Sequence, residues 1–205
     1  MISEQHEHHL PYDPEGSRLG MWLFLFSELL LFGGLFILYA SYLTKYTADF
    51  VIAGKELSRT IGAINTIILL VSSYFVAASI TAIRRNAPRI AMLYVGSAIT
   101  LGLVFLINKY FEWGHKFHLG IYPRGPALED RTNGEVIFYG LYYCVTGLHG
   151  LHVIIGGTLL AFALYYIYRK KITAERFVFL ENAGLYWHLV DLIWIFVFPL
   201  FYLVV

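Results

Sequence analysis

The feature that most constrains this chain is a stripe of polar side chains inside its last apolar segment. Residues 183–205 are 23 mostly apolar residues, and about 20 are enough for a helix to cross the hydrocarbon core of a bilayer. At 100° per residue, one face of this segment carries Glu181, Gly184, His188, Asp191 and Ile195. A charged group at membrane depth costs at least about 2.5 kcal/mol. We therefore expect this face to point into protein rather than into lipid.

The stripe has two interpretations that the residues alone leave open. His188 and Asp191 are three positions apart, so the imidazole and the carboxylate can share a hydrogen bond or share contacts to a neighbouring group. The pair is then either a buried polar clasp between helices or a group that handles protons.

The composition agrees with a membrane protein. The 205 residues are 58% hydrophobic and only 14% charged, with a mean hydropathy of +0.62, which is too apolar for a soluble domain of this size. A net charge of +1 without a basic patch argues against a nucleic acid partner. The single cysteine, Cys144, excludes an intrachain disulfide, and we expect it to pack in the core.

Hydropathy predicts an all-α membrane protein built as a bundle of five transmembrane helices. A polar N-terminal tail at 1–19 precedes a membrane domain at 20–205. The predicted spans are about 21–43, 61–83, 90–111, 136–168 and 183–205. Pro11 and Pro14 are expected to keep the approach to the first span non-helical.

The connections between the spans differ in basic content. Residues 44–60 are predicted to be a loop, and the long connection at 114–134 is expected to be ordered only against a partner. One side of the membrane receives a dense set of basic residues, namely Arg18, Arg84, Arg85, Arg89, Arg169, Lys170, Lys171 and Arg176. The positive-inside rule makes that side cytoplasmic, which predicts the N-terminus inside and the C-terminus outside.

Three further spans carry polar groups. Glu28, surrounded by Leu and Phe, is expected to keep its proton because burial disfavours its charged form. It is either a hydrogen-bond donor to a neighbouring helix or a proton relay. Asn65, Ser72 and Ser79 recur at seven-residue steps, a spacing typical of helix packing. Lys109 and Glu112 are expected to pair near the membrane interface as anchoring residues, together with Tyr110 and Trp113 as interfacial aromatic side chains.

The histidines invite a metal hypothesis, which the spacing disfavours. Residues 6–9 read HEHH, but a mobile tail makes a poorly selective site. His149, His152 and His188 supply only one layer of imidazoles, whereas a di-haem bundle needs four histidines in two layers. A three-imidazole copper or zinc site is geometrically conceivable. The favoured interpretation is that these imidazoles hydrogen-bond to Asp191, Glu181 or Thr146 across a helix interface.

Four segments of the chain resemble a known family. They are GMWLFLFSELLLFGGLF at 20–36, NTIILLVSSYFVAAS at 65–79, FYGLYYCVTGLHGLHVIIG at 138–156, and ENAGLYWHLVDLIWIFVFPLFY at 181–202. With them the chain is similar to the cytochrome c oxidase subunit III family of haem-copper terminal oxidases, in a five-span form that lacks two helices of longer members. Lys109 stands where the family commonly has glutamine.

The resemblance implies a non-catalytic subunit of a respiratory oxidase. It implies no cofactor in this chain, haem and copper in partner subunits I and II, bound phospholipid, and location in a bacterial inner (plasma) membrane. Glu28 would correspond to the family's membrane-embedded glutamate. The family's buried polar positions would correspond to His149, His152, Glu181, His188 and Asp191. Arg169 and Lys171 would meet lipid headgroups.

Two alternatives to a terminal oxidase remain open. A similar chain serves nitric oxide reductase systems. A free-standing proton channel or transporter is a different class, motivated by Glu28, His188 and Asp191, although the chain lacks the internal repeat expected of most transporters.

Overall fold

The computed structural model describes residues 13–203, in which the regular structure is helical. The helices are α1 Pro14–Lys45, α2 Thr47–Lys55, α3 Arg59–Arg84, α4 Pro88–His118, α5 Pro126–Glu129, α6 Asn133–Tyr168 and α7 Val178–Phe198, which continues as a π-helical turn over Pro199–Leu203. Five of these described helices, α1, α3, α4, α6 and α7, are long and apolar enough to cross a membrane. The predicted five-helix membrane fold is confirmed.

Helix α1 begins before the predicted first span. The Asp13 side chain accepts a hydrogen bond from the Gly16 backbone N–H at 2.9 Å and so caps α1. Pro14 occupies the first helical turn, where its missing N–H costs nothing. The expectation that Pro14 keeps this approach non-helical is therefore wrong. The histidines at 6–9 lie outside the described residues.

Both long connections are more ordered than predicted. The segment 44–60 contains the short helix α2. In the connection at 114–134, Tyr143 of α6 donates its hydroxyl hydrogen to the Ile121 carbonyl at 2.7 Å, and Leu128 of α5 is buried. The expectation that this connection is ordered only against a partner is wrong, because the chain's own helices hold it.

Helix α7 lies at the centre of the bundle. Half of its most apolar window is buried, against 11% for α1, and α7 packs against α1, α3 and α6. Its Trp187 is fully buried and lies against two glycines, where an added Cβ atom would come within 2.7 Å of the ring at Gly102 and 2.8 Å at Gly156. These glycines leave room for the Trp187 ring beside α4 and α6.

The two ends of the bundle differ. We call the end that contains Arg84, Arg85 and Arg89 the arginine end; α1 and α7 begin there, and α3 and α6 end there. Helices α2 and α5 lie at the opposite end. Which end faces the cytoplasm stays a prediction.

Two packing expectations have opposite outcomes. Asn65, Ser72 and Ser79 are buried as predicted, and the Ser72 hydroxyl donates to the Ala98 carbonyl of α4 at 3.1 Å. Cys144, expected in the core, is instead exposed on the surface of the chain, because it lies on the face of α6 that no described helix covers.

Candidate functional site: polar groups inside the bundle

The polar stripe of α7 begins at the arginine end with an ion-pair cluster. The Glu181 carboxylate accepts hydrogen bonds from Arg18 Nη2 of α1 at 2.7 Å and from Arg84 Nη2 of α3 at 2.6 Å. The Arg84 guanidinium also lies 5.0 Å from the ring centre of Phe177. The Glu181 side chain, which is 14% exposed, therefore joins three helices.

Deeper in the stripe, a serine of α3 separates the two groups that the sequence pairs. His188 Nδ1 lies 2.5 Å from the Ser73 hydroxyl oxygen. Asp191 is 3% exposed. The Ser73 hydroxyl also neighbours its carboxyl, but within residues 13–203 neither carboxyl oxygen has a hydrogen-bond partner of normal geometry. His188 and Asp191 are therefore not bonded directly; they share Ser73 as a neighbour, which is the second arrangement that their spacing allows.

A cavity of about 390 Å³ opens into this region between α1, α3 and α7. It is lined by Arg18, Trp22, Ala77, Ile80, Arg84, Glu181, Leu185 and His188. The ion-pair cluster and the imidazole of His188 thus line one cavity. Its charged lining residues, Arg18, Arg84 and Glu181, belong to the arginine end.

Glu28 is paired across the bundle with His152 of α6. Its Oε2 lies 2.8 Å from His152 Nε2, and His152 Nδ1 lies 2.7 Å from the Leu148 carbonyl. Since a carbonyl only accepts, Nδ1 carries a hydrogen. Nε2 then either accepts from a protonated Glu28 or donates to its carboxylate. This contact is compatible with both interpretations of Glu28, as a hydrogen-bond donor to a neighbouring helix and as a proton relay.

His149 has a different environment from the one expected. It is fully buried, its ring lies 5.5 Å from that of Phe105 and 5.0 Å from that of Trp194, and neither ring nitrogen has a hydrogen-bond partner in the described part of the chain. The Thr146 hydroxyl donates to the Tyr142 carbonyl of its own helix. The expectation that the three imidazoles bond to Asp191, Glu181 or Thr146 is wrong.

The described residues supply little for a metal. Within residues 13–203, no group of three or more histidine, cysteine, aspartate or glutamate side chains is close enough to hold an ion. Arg169 and Lys171 are exposed just beyond α6 at the arginine end. Lys171 Nζ lies 5.6 Å from the ring centre of Tyr166. The role of these two cations towards lipid headgroups stays a prediction.

The sequence revealed only the ion pair of the most densely bonded polar cluster, which we call the Lys109 cluster. Lys109 Nζ donates to Glu112 Oε2, to the Tyr142 hydroxyl and to the Tyr202 hydroxyl, each at 3.0 Å. The two tyrosines donate in turn to Glu112 Oε1, at 2.8 and 2.7 Å. The predicted pairing of Lys109 with Glu112 is confirmed, but the pair is buried among α4, α6 and the π-helical turn rather than exposed as an interfacial anchor.

A second set of charges continues from this cluster to the surface at the opposite end. Tyr139 donates to Glu56 Oε2 at 2.5 Å, and Arg131 Nη1 lies 2.9 Å from Glu56 and 2.8 Å from Glu135. Lys116 Nζ lies 5.5 Å from the Tyr139 ring centre. Partial burial acts to raise the pKa of Glu56, but the hydrogen bonds from Tyr139 and Arg131 outweigh it and hold the pKa below its ordinary value.

The tyrosines are the reason this cluster escapes a sequence search. Tyr142 and Tyr202 stand in apolar runs where they count as hydrophobic residues. The one available signal was Lys109 itself, a basic residue in the last part of a span.

Comparison with known proteins agrees with the residue patterns. The family model described as cytochrome c oxidase subunit III matches residues 1–204. The chain is 33% identical to a cytochrome c oxidase subunit 3 of Thermostichus vulcanus, over 98% of this chain and 92% of that protein. It is 28% identical to a probable quinol oxidase subunit 3 of Staphylococcus saprophyticus, over 92% of this chain and 89% of the relative.

A third relative is a longer protein. The chain is 28% identical to a haem-copper oxidase subunit I+III of Aeropyrum pernix, with 96% of this chain aligned to 24% of that protein. In that relative, by its name, a subunit III sequence shares one polypeptide with subunit I.

Proposed function

Since this chain belongs to the cytochrome c oxidase subunit III family, we propose that it is the non-catalytic third subunit of a bacterial haem-copper oxidase that reduces oxygen to water and translocates protons. The observation that carries the proposal is the family match over residues 1–204. The five membrane-length helices of the structure agree with it.

The proposed partners are subunits I and II of the same complex, in the bacterial plasma membrane. The fused subunit I+III relative supports contact with subunit I, because two chains that are covalently joined in one protein commonly pack together when separate. The haem and copper would reside in the partner subunits. The exposed apolar surface of α1, with Trp22, Phe26 and Ile37 more than half exposed, is available to lipid or to a partner helix.

Within the complex, the subunit would stabilise subunit I and support its proton uptake. The polar residues proposed for this work are Glu28, His149, His152, Glu181, His188 and Asp191. The contact of Glu28 with His152 and the cavity that reaches His188 support a proton role. Phospholipid headgroups would bind Arg169 and Lys171 and so stabilise the position of the subunit in the complex.

Purification of the tagged chain from its native membrane tests the proposal. We expect other chains to co-purify with it and the preparation to show haem absorption bands and to consume oxygen. The electron donor is then identified as the reductant that sustains turnover, either a quinol or a reduced cytochrome. Purification of the chain without any haem-containing partner would contradict the proposal. Recovery with a nitric oxide reductase instead would replace the oxidase by the alternative complex.

The orientation has a separate test. Reporter fusions after Ala87 and after Arg124 should report opposite sides of the membrane, the first cytoplasmic, because the arginine end is expected to face inward. The reverse result would overturn the predicted orientation and leave the family assignment intact.

A further inference from the structure

Three features of the structure meet on one side of α7: a cavity lined by the ion pairs of the arginine end, a histidine–serine hydrogen bond beside it, and a buried carboxyl group next to that serine. We propose that Asp191 is a proton-binding site that exchanges protons with the arginine end through His188 and Ser73, and with that end only. The proposal deepens the proposed function, since it names the side and the residues by which this subunit would hold protons for its complex.

Access is the first requirement. The cavity holds about 390 Å³, and a liquid water molecule takes up about 30 Å³, so several waters fit in it beside His188. Arg18, Arg84 and Glu181 line the cavity from the arginine end, and their charged groups favour hydration. Protons therefore have a hydrated approach to the imidazole.

A chain of neighbouring groups that can pass a proton is the second requirement. His188 Nδ1 and the Ser73 hydroxyl oxygen are 2.5 Å apart, and the same hydroxyl neighbours the Asp191 carboxyl. A proton taken from cavity water at His188 Nε2 allows Nδ1 to release its own hydrogen to Ser73 as the serine passes its hydroxyl hydrogen to Asp191. The step leaves a neutral carboxylic acid, an intact serine, a neutral imidazole with the hydrogen on Nε2, and one proton fewer in the cavity.

Asp191 itself is suited to receive that proton. It is 3% exposed and its two oxygens have no hydrogen-bond partner of normal geometry among the described residues. An unsatisfied buried polar group is costly, and more costly when charged. Proton uptake from the relay removes the charge and with it the larger part of this cost.

The exchange is one-sided because aromatic side chains close the other direction. One turn beyond Asp191 on α7, Trp194 is fully buried, with its ring 4.8 Å from that of Phe105 and 5.0 Å from that of His149. Its indole N–H is already donated to Thr66 at 3.1 Å. This packing separates Asp191 from the Lys109 cluster and from the opposite end.

Few charges act on Asp191 from the surrounding helices. On α7 the groups near Asp191 that contribute a charge are His188 and, nearer the arginine end, Glu181. The nearby charges on α1 and α3 are Arg18 and Arg84, and both are paired with Glu181. Glu28 and His152 form their own pair between α1 and α6. In the part of α4 that packs on α3 here, residues 91–102, the titratable side chain is a tyrosine. His188 is therefore the group through which pH at the arginine end reaches Asp191.

The test uses the whole complex in vesicles, with its aspartates labelled by carbon-13. The pH, or the deuterium content of the water, is changed abruptly on one side of the membrane, and infrared spectroscopy follows the carboxyl stretching band. We expect a band that responds to a step at the arginine end and is missing from Asp191→Asn. His188→Gln and Ser73→Ala, which retain Asp191, should slow the response about tenfold or more, because a positioned proton carrier is removed. Asp49→Asn, in α2 at the opposite end, is the matched control and should leave this band unchanged.

Each outcome decides the matter. Three results would overturn the proposal. The band could persist in Asp191→Asn, respond equally fast to a step at the opposite end, or respond at an unchanged rate in both His188→Gln and Ser73→Ala. If Asp191→Asn does not assemble, the relay variants still decide, since each leaves the carboxyl in place. Failure of the proposed function would look different, because the chain would then purify without a haem-containing partner.

Discussion

The Lys109 cluster and the Asp191 region are two buried polar regions of the same bundle with opposite degrees of pairing. The side chains of Lys109 and Glu112 are 9% and 5% exposed, and Asp191 is 3% exposed, so burial alone does not distinguish them. Lys109 makes three hydrogen bonds, whereas the carboxyl oxygens of Asp191 have no partner of normal geometry in residues 13–203. Pairing, rather than burial, separates a structural clasp from a group that is free to change its protonation state.

The physical reason is that a change of charge has a different free-energy cost in the two regions. In the Lys109 cluster a change of charge leaves an opposite charge unpaired in a region of low dielectric, which is strongly destabilising. At Asp191 the neutral form is the one that its surroundings favour. The first region resists titration and the second permits it.

The largest effect is expected for Glu112→Gln, which removes the carboxylate but keeps its shape. Lys109 would then be a buried cation without a counter-ion, and loss of one partner of a buried pair typically costs about 3 to 5 kcal/mol. The helices α4 and α6 and the π-helical turn should separate more easily. The measurement is the detergent concentration at which the subunit dissociates from its complex.

A double substitution sharpens this result. In Lys109→Gln with Glu112→Gln the charges leave together, and two amides can bond to each other and to Tyr142 and Tyr202. We expect most of the lost stability to return, as a double-mutant cycle would show. A double variant as unstable as Glu112→Gln alone would mean that the ion pair is not what holds the cluster together.

Gly156→Ala is expected to have the next largest effect, and to disturb the Asp191 region more than the Lys109 cluster. Its Cβ atom would come within 2.8 Å of Trp187, and such overpacking typically costs about 1 to 3 kcal/mol. The Trp187 indole N–H donates to Ser72 at 3.0 Å, next to the relay residue Ser73. Gly157→Ala is the control, since no heavy atom lies within 4 Å of its Cβ position. Equal thermal stability of the two variants would contradict this account.

The fold was accessible from the sequence because the bilayer imposes it. Membrane-length apolar runs must form helices, so the five spans follow from hydropathy alone. The errors lie at the water-exposed ends. There, Asp13 starts α1 early by capping it, and contacts such as the one between Tyr143 and Ile121 order a connection that hydropathy reads only as polar.

The candidate site was accessible only in part. Helical periodicity placed Glu181, His188 and Asp191 on one face, but it says nothing about which helix that face meets. Ser73 of α3 is therefore visible only in the structure. Partners from distant segments, such as His152 for Glu28, equally escape a single helical pattern.

Asp191→Asn should change stability little, by about 1 kcal/mol or less. The amide has the same shape as the carboxyl, and the carboxyl makes no hydrogen bond of normal geometry to lose. Dissociation of the complex in detergent measures the effect, with Asp191→Leu as the companion variant that also changes the shape. A loss as large as that of Glu112→Gln would show that Asp191 is a clasp like the Lys109 cluster, and the contrast between the two regions would fail.

The smallest effect is expected from pH at the opposite end, where Glu56 is paired but partly exposed. Its pKa is held below the ordinary value of 4.5, so the stability that it contributes is fully present above that value and is lost as the pH falls through the lowered pKa. Because the ion pair with Arg131 is solvent-accessible, with Glu56 35% exposed, the change should be about 0.5 kcal/mol or less. Thermal unfolding of the complex between neutral and acidic pH would show it as a small downward shift of the midpoint. Glu56→Gln should remove that part of the pH dependence, while Glu15→Gln, whose carboxyl lies at the arginine end, should leave it unchanged. A shift equally large in Glu56→Gln would assign the acid sensitivity to another carboxylate.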